Sequence, residues 1–154
     1  MDYTRVDPAE TAAGYKRAAA LEAEREAYGQ ELEDLRLAEL ETNGANGAIR
    51  NAAAQARLGL NVAERRARAE LYVADAGVDG AEIAALRRAH LTGWIEQLER
   101  EHVSHTTRIG LLDLEGPGHG QAERVASEQA LEVLETAHAT ALAKLAELGP
   151  EPPA

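Results

Sequence analysis

Residues 79–112 read DGAEIAALRRAHLTGWIEQLEREHVSHTTRIGLL. Asp79 followed three positions later by Glu82 is a capping box, the pattern that opens a helix by satisfying its free N–H groups. Beyond it, Ile83, Leu86, His90, Trp94, Leu98, His102, His105, Ile109 and Leu112 recur at steps of three and four. That spacing lines one face of an α-helix. No proline falls between residues 9 and 116, so nothing interrupts the pattern. A helix is therefore predicted over 80–114. It stops at Gly116-Pro117-Gly118-His119-Gly120, a run that cannot continue a helix.

The same reading extends in both directions. Upstream, Asp7 as N-cap, Pro8 at the first helical position and Glu10 in the first turn start a helix over about 8–41. Its apolar stripe is Leu21, Tyr28, Leu32, Leu35 and Leu40. At about 33 residues this helix would be roughly 50 Å long. The Asn-Gly pairs in Thr42-Asn-Gly-Ala-Asn-Gly47 make a turn. A second helical segment runs over 48–76, carrying Ile49, Ala53, Ala56, Leu60, Ala63 and Ala67. Gly59, with Asn61 and Glu64 as an internal capping box, predicts a break near residue 60. Downstream of the glycine loop, a helix over 121–148 carries Ala130, Leu131, Leu134, His138, Ala141, Leu145 and Leu148. Gly149 and the prolines after it close that helix, and 150–154 is expected to be a disordered tail. No segment alternates in the manner of a strand. The fold class is all-α: an elongated helical bundle or antiparallel coiled coil of about four helices in one domain, 1–149. A long helix with a thin stripe calls for a partner chain, so a homo-oligomer is expected, most simply a dimer.

Composition narrows the function. The chain has 154 residues, 33 of them alanine, with no Phe, one Met and one Trp. Such a chain builds thin helix–helix seams. It has no cysteine, which removes disulfides, thiolate metal sites and cysteine nucleophiles. It holds no phosphate-binding glycine loop, no G-x-S-x-G elbow and no dinucleotide fingerprint. No run approaches the roughly 18–20 apolar residues of a membrane span. Met1-Asp2-Tyr3-Thr4 is polar and shows no export signal, so the expected compartment is the cytoplasm.

The net charge is -11, with 14 Arg and only 2 Lys. The first 42 residues hold 11 acidic and 5 basic groups, whereas 43–76 hold 3 acidic and 5 basic. The plain expectation is charge pairing between an Arg-rich second segment and its acidic neighbours. Arg50, Arg57, Arg65, Arg66 and Arg68 form the only basic stretch. Overall acidity argues against direct nucleic-acid binding through them. A different reading follows from Glu22, Glu24, Glu26, Glu31, Glu33, Asp34, Glu39 and Glu41 on the first helix. A rod of spaced carboxylates can imitate a nucleic acid and block a basic groove.

Two E-x-x-H pairs, Glu99/His102 and Glu135/His138, carry the chemistry of a metal alternative. Residues at i and i+3 share a helix face, and in ferritin-like bundles two such pairs plus further glutamates hold two metal ions. Glu70 and a glutamate of the first helix would complete the set. His102 and His105 form an H-x-x-H that, with Glu99, offers three ligands to a divalent metal or iron. The competing expectation is two half-buried histidines at an oligomer seam, which would then be pH-sensitive. Ser104 and Ser127 have no base and orienting acid at a readable spacing, so no enzyme is expected and no cofactor is required. Tyr72 and Trp94 are the aromatic candidates for anchoring a protein partner, with core filling as the alternative for Trp94.

At 42–52 the chain reads Thr-Asn-Gly-Ala-Asn46-Gly-Ala-Ile-Arg50-Asn-Ala52. This resembles small helical accessory proteins of phage and prophage genomes, in which a T-G-x-N turn leads into R-x-A and a second amphipathic helix. Asn46, Arg50 and Ala52 fit that spacing. Asn43 and Gly44 replace the direct Thr-Gly, and Gln55 and Leu58 stand where Gln-Leu usually follows. The resemblance implies a phage accessory protein in a bacterial host and carries over no functional residues. The functional expectation is a non-enzymatic protein that docks a helix face on a protein partner. Its alternatives are the acidic mimic and the metal-binding bundle.

Overall fold

The computed structural model describes residues 7–44 and 46–150. The export-signal reading at Met1–Thr4 and the tail reading beyond Pro150 lie outside these residues. Among the described residues the chain is all-α, a helical bundle of five helices without strands: α1 Pro8–Asn43, α2 Gly47–Leu58, α3 Val62–Ala76, α4 Gly80–Glu115 and α5 Gln121–Glu147. The expected break near residue 60 separates α2 from α3. No described helix is long and apolar enough to cross a membrane.

Local chemistry sets the helix ends. The Asp7 carboxylate accepts the Ala9 N–H at 2.9 Å, Asn46 accepts from Ala48 at 2.9 Å, and Asp79 accepts from Ala81 at 3.2 Å. Each satisfies a donor that the first turn leaves without a partner. The capping box read at Asn61 is not formed. Asn61 makes no side-chain cap bond, and the break rests on Gly59, whose N–H closes α2 onto Ala56 at 3.2 Å. Two glycines are required by their surroundings. A Cβ at Gly44 would lie 2.6 Å from the Leu40 carbonyl oxygen, against the last turn of α1. Gly120 has φ +60° and would place its Cβ 2.6 Å from Leu112, so the loop between α4 and α5 turns tightly over that leucine.

The described residues pack as two compact units, one of residues 7–31 with 61–90 and one of 32–44 and 46–60 with 91–150. The reading of one domain over 1–149 drew no such division, because α1 and α4 carry no sequence break where the units change over. In the first unit, Arg17 pairs with Glu82 and Arg87 with Glu24, so the opening parts of α1 and α4 run in the same direction. Lys16–Asp75 and Glu31–Arg66 set α3 against them in the opposite sense. Ala20, Ala27, Tyr28 and Ala69 form the apolar seam. Alanine lets the backbones approach closely, and Gly29 does the same beneath the His90 ring, 3.1 Å from where a Cβ would stand.

This seam has a charged centre. Glu24 is 1% exposed, and its carboxylate accepts from Arg66 at 2.5 Å and Arg87 at 2.6 Å. Arg66 reaches Glu31 through two further bonds at 2.5 and 2.9 Å, which hold its guanidinium above its ordinary range. Arg87 also lies over the Tyr28 ring, 5.4 Å from its centroid, and Tyr28 meets the edge of His90.

His90 is held below its ordinary value of 6.5, first by burial and then by the charge of Arg25. The sign follows directly: the fold prefers the neutral ring, so its contribution is complete above the ordinary value and declines as pH falls through the folded value. Stability measured by urea unfolding is therefore expected to fall more steeply for the wild type than for His90→Gln between about pH 7 and 5. Parallel curves would show that His90 is not the group responsible.

In the second unit, α5 runs antiparallel to α4, and Arg57 of α2 binds Asp34 and Glu41 of α1 at 3.1 and 2.6 Å. The core is Leu32, Leu37, Leu91, Ile95, Leu98, Val133, Leu134, Ala137 and Ala141, with Leu112 under the glycine loop. Trp94 is half-buried. It borders a small cleft with Leu32, Leu35 and Ala137, and the Arg36 guanidinium lies 6.0 Å from its ring centroid.

Candidate functional site

The two E-x-x-H motifs fall opposite one another on the antiparallel helices α4 and α5, and they pair crosswise. His138 Nε2 lies 3.2 Å from Glu99 Oε1, and His102 Nε2 lies 3.6 Å from Glu135 Oε1. Sequence spacing placed each histidine with the glutamate of its own helix; the helix pairing gives it the glutamate of the other. With Leu98, Val103 and Leu134, the four residues of the pairs line an open cleft of about 380 Å³. Cleft volumes of this order accept a side-chain cluster or a small ligand.

The metal expectation meets a different geometry. Among the described residues, no group of three or more His, Asp or Glu side chains comes together in a way that could hold a metal ion. Glu99, His102, Glu135 and His138 stand as two separate pairs. Glu70, the expected fifth donor, belongs to the other compact unit. His105 does not join Glu99 and His102: its Nδ1 is 3.3 Å from Ser127 Oγ. That contact brings a serine and a histidine together where sequence spacing had offered Ser127 no base. It could have been foreseen only from the register in which α4 faces α5. Ser127 is 3% exposed, so its hydroxyl cannot meet a substrate.

Both helices of the hairpin leave a row of residues uncovered. On α4 the exposed row is Glu96, Glu99, Val103, Thr107, Gly110 and Leu114; on α5 it is Glu128, Glu132, Glu135, Ala139 and Leu142. The spacings of three, four and seven keep each row on one helix face. Val103, Leu111 and Leu114 are 64, 58 and 84% exposed, and Leu142 is 47%. Towards the glycine loop the described contacts join α4 and α5 to one another: Arg108 with Glu123 at 3.0 Å, Arg124 with Asp113, and Leu112 beneath Gly120. Neither aromatic anchor read from the sequence lies in this cleft. Tyr72 is on α3, in the first unit, and is 46% exposed, and Trp94 packs beside Arg36. The uncovered aliphatic residues escaped the sequence reading because valine and leucine on an acidic helix give no motif.

Comparison with family models, with curated proteins and with solved structures finds no match. The fold and the site therefore stand on their own geometry.

Proposed function

We propose that this chain is a non-enzymatic helical interaction protein that docks a protein partner on the α4–α5 face. The observation that carries this reading is the apolar cleft between the helices, lined in part by uncovered Val103, with exposed Leu142 and Leu114 farther along the same helix rows. Large aliphatic side chains left in water beside an open cleft favour association, since covering each removes apolar area at about 25 cal/mol per Å². The 42–52 resemblance makes a phage accessory protein the natural setting for such a role.

The mimic reading has less to rest on. Glu24, Glu26, Glu31, Asp34 and Glu41 of α1 are each held by an arginine of the same chain, and Glu22 by Arg25. Carboxylates committed to internal arginines present little free charge to a basic groove.

The test is capture from a bacterial lysate with three baits. The wild type is expected to enrich a protein that a Val103→Asp/Leu114→Asp variant loses and a Tyr15→Asp variant keeps. All three positions are exposed, so circular dichroism should show the same fold in each bait. A partner retained by the Val103/Leu114 variant would overturn the reading.

A further inference from the structure

The charge around the cleft narrows what can dock there. Residues 94–147 hold ten acidic side chains and four basic ones. Two of the four, Arg108 and Arg124, already bind Glu123 and Asp113, and Arg100 donates to Gln97. Among the described residues no arginine or lysine pairs with Glu99, Glu132 or Glu135; Glu99 and Glu135 line the cleft facing His138 and His102, and Glu132 lies outside its lining. On α1, Glu26, Glu31 and Glu41 are neutralised by Arg65, Arg66 and Arg57, whereas Glu99 and Glu135 border the apolar cleft with no arginine or lysine against them among the described residues.

Resting on the docking reading above, we infer that the α4–α5 face is a receptor for an amphipathic helix carrying lysine or arginine beside its apolar stripe. The shape fits this occupant. Two antiparallel helices with an apolar floor between them form the groove into which a third helix lays its apolar face, read at steps of three, four and seven. Its buried lining is Leu98 and Leu134, with Val103 exposed at its edge. Glu99 and Glu135 line the same cleft, and Glu132 lies about one turn before Glu135 on α5. A helix seated there places basic residues flanking its stripe against these carboxylates. A second copy of this chain would bring the same acidic excess onto the same face, and that repulsion disfavours it as the occupant. The cleft is open to water, so the carboxylates set partner choice and association rate more than total affinity.

The probe is a labelled synthetic helix of leucine and lysine with a heptad apolar stripe, followed by anisotropy. Its counterpart replaces every lysine with glutamate. The lysine peptide is expected to bind the wild type, and binding should weaken about tenfold for Glu99→Gln/Glu132→Gln/Glu135→Gln and comparably for Val103→Asp. A triple variant of equal charge change on other surfaces, Glu10→Gln/Glu64→Gln/Glu70→Gln, should bind as the wild type does. Equal weakening by both triple variants would mean general attraction to an acidic protein and overturn the inference. Equal binding of the glutamate peptide would overturn it too. So would sedimentation of the protein alone as a dimer that Val103→Asp dissociates, which would make a second copy the occupant. The two proposals separate cleanly: a lysate partner that is lost with Val103/Leu114 but indifferent to the groove glutamates keeps the docking reading and sinks only the basic-helix assignment.

Discussion

Glu24→Ala is expected to destabilise the fold by about 3 kcal/mol, read as a shift in the urea midpoint without a change in slope. The cost is not the lost attraction alone. Removing the carboxylate leaves the Arg87 guanidinium part-buried with its remaining described contact the Tyr28 ring. It also opens a hole where α1, α3 and α4 meet. The figure sits at the lower end of the range for breaking a buried pair for two reasons. Arg66 keeps Glu31 through two bonds, and the Arg87 side chain is 34% exposed, so water offsets part of the loss. Glu22→Ala is the control, because among the described residues Glu22 pairs with Arg25 alone, at the surface, and its loss should fall within about 0.5 kcal/mol. A Glu24→Leu/Arg87→Leu double variant should lose less than the two single changes together, since a matched apolar pair strands no charge. Equal effects of Glu22→Ala and Glu24→Ala would mean that the buried network is not a structural centre.

Capping residues and apolar periodicity make the helices legible in the sequence. Asp7, Pro8, Asp79 and the Gly116–Gly120 run mark ends that the backbone obeys, because those residues either supply a missing acceptor or cannot sit in a helix. The general idea of charge complementarity is also legible in the Arg-rich segment. Which face each helix buries is harder to read. On α1 the buried positions are Ala20, Glu24, Ala27, Tyr28, Leu32 and Leu37, whereas Leu35 of the expected stripe is 40% exposed. Alanine is compatible with either side of a helix, so an alanine-rich stripe is defined by very few large residues. Glu24 is invisible to a hydrophobic pattern, because a buried carboxylate is decided by arginines 42 and 63 positions away. The site is half legible for a related reason. The two E-x-x-H motifs are plain in the sequence, but whether they converge or cross-pair depends on how α5 registers against α4, and single-helix spacing does not encode that.

Leu91→Ala tests the corrected face of α4, with an expected loss of about 3 kcal/mol. The sequence stripe runs through His90 and Trp94. In the structure the buried positions are Leu91 and Ile95, each one residue further along, and the buried line rejoins the expected stripe at Leu98 and Leu112. The shift has a physical source. From residue 91 onward α4 belongs to the second unit, where it runs antiparallel to α5, so the face it buries is set by different neighbours from those of residues 80–90. Leu91 is 0% exposed, so truncation removes its transfer energy and leaves a cavity in the core. Leu114→Ala, at a position 84% exposed, should change stability by less than about 0.5 kcal/mol. The pair separates two roles for leucines on one helix: a large loss at Leu91 with none at Leu114 places the first in the core and leaves the second free for a partner. If Leu114→Ala cost as much as Leu91→Ala in the isolated protein, Leu114 would already be covered in solution. The α4–α5 face would then be closed by something other than the basic helix inferred for it.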